Sequence, residues 1–221
     1  MFETLIAPGW FGKLPTAGDF VSRRLPQDVI DWWDSWLSLG LAALRERHAD
    51  DWQAQFLAAP VWRFVLAPGV APGKLGQHAW AGVLIPSVDS VGRYFPLTLL
   101  APLAGWPLDP ADGEALGWWL ERLERTAVDA LHDDWSIERL EAELDADPQR
   151  RAPPSAADLD LAQDRVIFAA DALASMGVAG RRLFTEHRAG RSLWQRGCST
   201  DGACQLVQGL PPAASLFEAW A

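Results

Sequence analysis

Cysteine is nearly absent from this sequence: Cys198 and Cys204 are the only two, which is too few for a disulfide-stapled scaffold and suits a reducing cytoplasm. Their separation also lacks the tight two-residue interval of common zinc sites. Histidine is sparse too. His48, His78, His132 and His187 lie far apart, with no i, i+4 pair to face a metal from one helix. No apolar run approaches the roughly 20 residues that cross a bilayer, because glycine, proline or charge interrupts each one. Met1–Leu5 has neither a basic start nor an extended apolar stretch, so no secretory signal is expected and the cytoplasm is the expected compartment. An excess of basic residues is missing as well, since 19 Lys and Arg face 29 Asp and Glu. A phosphate-backbone partner needs a basic footprint, so nucleic acid is disfavoured, and direct membrane insertion is not expected.

Nucleotide and nucleophile motifs are lacking in the same way. Gly12-Lys13 has Ala7 where a phosphate loop needs glycine and Leu14 where it needs Ser or Thr, and no Gly-x-Gly-x-x-Gly follows a strand. Gly197-Cys198-Ser199-Thr200-Asp201-Gly202 is one residue too long for a nucleophile elbow and reads as a hairpin turn. No catalytic residue, metal or cofactor site is assigned on these grounds.

What the chain has in abundance is tryptophan, thirteen of 221 residues. Each carries a large apolar body and one N–H that needs a partner, so most are expected in the core, with a protein-binding surface as the sharper use of a few. Acidic charge is concentrated. Residues 109–160 hold fifteen acids against five arginines and alone supply the net charge of −10; the remaining segments nearly cancel. A solvated helical face accounts for such a stretch, and a basic partner is the alternative.

Periodicity gives an outline. Trp10–Pro15 reads as a short strand and Thr16–Asp19 as a turn before Phe20-Val21. A helix begins after Pro26, with Val29, Trp32, Trp33, Trp36, Leu37, Leu41 and Leu44 in its expected buried stripe and Arg45, Arg47 and His48 near its negative end. A short helix is expected to start around Asp50-Asp51, bury Trp52 and Phe56, and stop before Pro60. Strands are expected at Val61–Leu66, Trp80–Ile85 and Tyr94–Leu100, and helices at 112–131, 136–144 and 159–176, with a linker over 145–157. Ser192–Trp194 and Cys204–Val207 suggest a hairpin before a short terminal helix. The near-continuous apolar strands imply a sheet covered on both faces: an α/β single-domain sandwich with a central mixed sheet flanked by helices. Within residues 1–221 this divides into a motif-rich part (9–100), an acidic helical part (109–160) and a C-terminal hairpin and helix (190–221).

Two charged loops stand out, one with Lys13, Asp19, Arg23 and Arg24, the other with Ser87, Asp89 and Arg93. Asp19 or Asp89 accepting backbone N–H groups, or pairing with Arg, would make them structural; a partner surface built from the same loops is the competing reading. A carboxylate and an Arg alone specify no reaction.

Gly9-Trp10-Phe11-Gly12-Lys13-Leu14-Pro15 followed by Gly18-Asp19-Phe20-Val21-Ser22-Arg23-Arg24-Leu25-Pro26 resembles the opening of TagF (ImpM) proteins. So does the order Trp33-Asp34-x-Trp36-Leu37, Ala59-Pro60-Val61-Trp62-Arg63-Phe64 and Pro86-Ser87-Val88-Asp89-x-Val91-Gly92-Arg93-Tyr94-Phe95-Pro96-Leu97. Later, Ser192-Leu193-Trp194 is similar to a Ser-x-Trp-Trp signature in which Gln195 replaces the second Trp, and Ser90 stands where members often carry Arg. The resemblance implies a cytoplasmic, post-translational repressor of type VI secretion, associated with a forkhead-associated (Fha) scaffold and with a pathway containing a threonine kinase and a PPM-type phosphatase. An enzyme acting on a phosphorylated partner and a structural subunit of the apparatus are the alternatives. The family supplies no catalytic residues. The residues singled out as partner-binding or structural are Trp10, Gly12, Lys13, Pro15, Gly18, Asp19, Arg23, Arg24, Trp62, Ser87, Asp89, Arg93, Phe95, Pro96 and Trp194.

Overall fold

The computed structural model describes residues 7–103, 110–146, 190–197 and 204–218. Strands are β1 (Gly9–Gly12), β2 (Val21–Arg23), β3 (Trp62–Leu66), β4 (Trp80–Ile85), β5 (Leu97–Pro102), β6 (Arg191–Arg196) and β7 (Cys204–Gln208). Helices are α1 (Gln27–Arg47), α2 (Trp52–Ala58), α3 (Pro110–His132), α4 (Ile137–Asp145) and α5 (Ala213–Leu216). The strands form one sheet in the order β2-β1-β5-β4-β3-β6-β7. The predicted α/β sandwich is present, but every described pairing is antiparallel and the sheet is not mixed. Parallel neighbours need a long crossover, usually a helix; β3 to β4 and β4 to β5 are joined by loops that reverse the chain.

Strand alternation sorts the core into two layers. Val65, Ala81, Val83, Leu97, Leu99 and Leu193 meet Leu116, Leu120, Leu123 and Ala127 of α3 and Leu140 and Leu144 of α4. Trp62, Phe64, Leu66, Leu84, Leu100 and Trp194 meet Val29, Trp33, Leu37, Leu41 and Leu44 of α1 and Leu216 of α5. Both faces are covered, which is why the strands read as unbroken apolar runs.

Local chemistry sets the helix boundaries. Pro26 is the extended N-cap of α1, Asp28 sits in its first turn, and Arg45 and Arg47 in its last. Ser136 caps α4 by accepting the Arg139 N–H at 3.2 Å. Gly40 lets α5 lie directly on α1: a Cβ there would fall 2.3 Å from that of Ala213. The expected strand at Tyr94 begins only at Leu97. Tyr94 makes a single bridge to Val88, and Pro96 has no N–H to give a ladder.

Trp10, Trp33, Trp62, Trp80, Trp119, Trp135 and Trp194 are buried, as the core reading required. Several of their N–H groups find partners across elements: Trp33 donates to Thr98 Oγ1 at 2.9 Å and Trp62 to the Leu216 carbonyl at 2.8 Å, whereas the Trp135 indole nitrogen is buried without a hydrogen-bond partner among the described residues. Among the described residues no helix is long and apolar enough to cross a membrane. The helix expected at 159–176 and the linker from 147 onward lie outside the described residues, as do Trp106 and Trp220.

Candidate functional site

Because β1 pairs with β5, the turn after β1 (residues 13–20) and the turn before β5 (residues 86–96) meet at one end of the sheet. Gly12 makes the closest approach. It has φ 139°, and a Cβ there would lie 2.1 Å from the Pro96 carbonyl oxygen. Ser87 Oγ donates to the Lys13 carbonyl at 2.8 Å, and the Ser90 N–H and Oγ both donate to the Ala17 carbonyl at 3.1 Å. The two loops are therefore one hydrogen-bonded unit.

A charge network lies beneath. The Lys13 ammonium is buried, 3.0 Å from Asp89 Oδ2, 3.3 Å from Asp19 Oδ1 and 3.8 Å from the centroid of the Phe20 ring. Arg93 donates from Nε to Asp89 Oδ2 at 2.8 Å, while the backbone N–H groups of Arg93 and Val91 donate to Oδ1 at 2.9 and 3.1 Å. Burial pushes the Asp89 pKa up, but these four donors outweigh it and hold the carboxyl well below its usual range. The Phe20 N–H, followed by Lys13, likewise lowers Asp19. Arg93 Nη2 donates to the Gly18 carbonyl and stands 3.4 Å from Asp19 Oδ1.

An aromatic cluster roofs the network. Phe20 stacks on Phe11 at 5.6 Å and meets Phe95 edge-on at 4.8 Å. Phe95 is buried, but Phe20 remains 45% exposed and Val91 66% exposed. Neither residue stands out in the sequence, because periodicity does not say which apolar loop residue stays in water.

The structure divides the other sequence-selected residues. Lys13, Asp19, Ser87, Asp89 and Arg93 come together with Gly12, Gly18, Phe95 and Pro96; Pro15 lies half-buried in the same turn. Arg23 and Arg24 do not join them. Arg23 bonds the Ser22 carbonyl, and Arg24, at φ 56°, reaches Glu141 of α4 at 2.6 Å. The same Glu141 accepts the Trp10 indole N–H at 2.5 Å. Trp62 and Trp194 are core residues on the α1 face, far in role from any surface. The acidic segment proves to be more than a solvated face. Glu141 holds two motif residues, Glu124 forms a buried pair with Arg63 of β3, and Thr16 Oγ1 donates to the Trp135 carbonyl at 2.7 Å. Nothing in the spacing of these acids distinguishes Glu124 and Glu141 from their exposed neighbours. Among the described residues no group of His, Cys, Asp and Glu is placed to hold a metal ion.

The sequence matches the family described as the TagF N-terminal domain, type VI secretion system-associated, over residues 9–146. No curated protein matches it. Among solved structures it is similar to PA0076 from Pseudomonas aeruginosa PAO1, with 32% identity, a TM-score of 0.65, and coverage of 95% of this chain and 92% of that one. The matched span runs from β1 through α4 and contains both loops of the network, so the site is built from the family's own segment. The chain belongs to the TagF family of type VI secretion-associated proteins.

Proposed function

We propose that this protein is a regulatory binding subunit of the type VI secretion system, a post-translational repressor that acts in the cytoplasm by holding an Fha-type scaffold inactive. Family membership supports the accessory role; the repressor role and the scaffold come from the family resemblance. The binding surface in this reading is the joined pair of loops. The observation that carries it is Phe20, a large aromatic left 45% exposed on a loop whose backbone is tied in place from several sides. Rigid aromatic side chains on a pre-organised surface lose little entropy on binding and dominate interface energetics. A non-catalytic role is favoured because Lys13 and Asp89, the cluster's acid–base groups, are engaged with each other.

The test is retention of the cognate scaffold on the immobilised full-length protein. Phe20→Ala and Val91→Asp should each weaken retention about tenfold or more, the scale of an interface hot spot. Circular dichroism should report an intact fold. Equal retention by the variants and the wild type would remove the loops from the interface, and failure of the wild type to bind would remove the scaffold as partner.

A further inference from the structure

Asp19 differs from the rest of the network. Its side chain is 77% exposed, yet its Oδ1 lies between two cations, 3.3 Å from Lys13 Nζ and 3.4 Å from Arg93 Nη2. Both separations are long for charge-assisted bonds, which run near 2.7–2.9 Å. Asp89 makes the tighter contacts with the same two cations, at 3.0 and 2.8 Å. Asp19's shortest bond is to its own neighbour, the Phe20 N–H, at 2.8 Å. Of the three groups that touch the Lys13 ammonium, Asp89 is fully buried, whereas Asp19 and Phe20 face solvent.

The charges narrow the chemistry. Lys13 and Arg93 against the buried, ionised Asp89 leave one positive charge, and Asp19 supplies the one negative charge that cancels it. A single carboxylate fits that vacancy in charge. A phosphoryl dianion would leave excess negative charge beside Asp89, which like-charge repulsion disfavours.

We propose that Lys13 and Arg93 form a carboxylate-recognition site that Asp19 fills in the free protein, and that an Asp or Glu side chain of a protein partner replaces Asp19 on docking. This rests on the loops being the binding surface and adds the chemistry of the partner's contact. It reverses the expected effect of one substitution. If Asp19 were itself a partner contact, removing its charge would weaken binding; as an internal competitor, its removal strengthens binding.

The experiment is an NMR titration of the full-length protein with acetate and, separately, with inorganic phosphate, following resonances of Lys13, Phe20 and Arg93. Asp19→Asn should bind acetate about two- to fivefold more tightly than the wild type, the scale of one exposed ion pair. Adding Arg93→Gln should abolish the gain, and phosphate should bind no more tightly than acetate. Asp19→Ser, which keeps an acceptor for the Phe20 N–H, should repeat the result. Equal acetate affinity in wild type and both Asp19 variants would overturn the proposal; tighter phosphate binding would overturn the carboxylate assignment. No scaffold is present in this titration, so its failure is distinct from loss of scaffold binding in Phe20→Ala.

Discussion

Replacing Lys13 by Met removes the buried ammonium while keeping most of the side chain's length and apolar volume. Asp89 then keeps three donors, the Arg93 side chain and two backbone N–H groups, and loses the ammonium 3.0 Å from Oδ2. Breaking a buried ion pair costs about 3–5 kcal/mol when the survivor is left uncompensated. A single hydrogen bond to a charged group contributes about 1.5–3 kcal/mol. Because Arg93 still compensates Asp89, the loss belongs to the lower range, about 2–3 kcal/mol. For a chain of this size that lowers Tm by roughly 4–12 °C. The assay is urea unfolding followed by tryptophan fluorescence, repeated from pH 7 down to pH 3. The folded Asp89 carboxyl is held below its unfolded value of about 3.9. Its contribution is therefore fully present above that pH and lost as pH falls toward the lower folded value. Without Lys13 the folded value rises, so the gap between variant and wild type should narrow below about pH 4. A deficit under about 1 kcal/mol at pH 7, or a gap that widens in acid, would refute the assignment of Lys13 as the structural partner of Asp89.

Two further substitutions probe the supports of the site. Gly12→Ala places a methyl group 2.1 Å from the Pro96 carbonyl oxygen at a φ of 139°. It should cost about 2 kcal/mol or more, seen as a lower urea midpoint, because both the backbone and the neighbouring loop must shift. Glu141→Ala leaves the buried Trp10 N–H without its partner and should cost about 1–3 kcal/mol in the same assay. Asp145→Ala, which removes only an exposed ion pair to Arg24, should stay within about 0.5 kcal/mol.

Much of the fold was legible because local rules and tertiary packing agree. Of the helical stripe Val29, Trp32, Trp33, Trp36, Leu37, Leu41 and Leu44, α1 buries all but Trp32 and Trp36, which lie half-buried at its edge, and the Ser136 cap fixes the start of α4. The hairpin of β6 and β7 was visible as two apolar runs around a turn. Strand direction was not visible. Continuous apolar runs report burial on both faces, which antiparallel strands also satisfy once helices cover each side. Tyr94 misled for a local reason: the Asp89–Arg93 turn captures the backbone that an apolar run would give to a strand.

By itself the sequence determined the two helical layers, the presence of the sheet, and the two charged loops with Lys13, Asp19, Arg23, Arg24, Ser87, Asp89 and Arg93, since charged residues between apolar strands need partners. Only the tertiary structure decided how those residues divide. Pairing of β1 with β5 brings positions more than seventy residues apart into one network, turns Arg24 away to Glu141, buries Lys13 and leaves Phe20 in water. The physical reason is that periodicity encodes which side of an element faces the core. The partner of a buried charge, and the exposure of a loop aromatic, depend on which strands become neighbours.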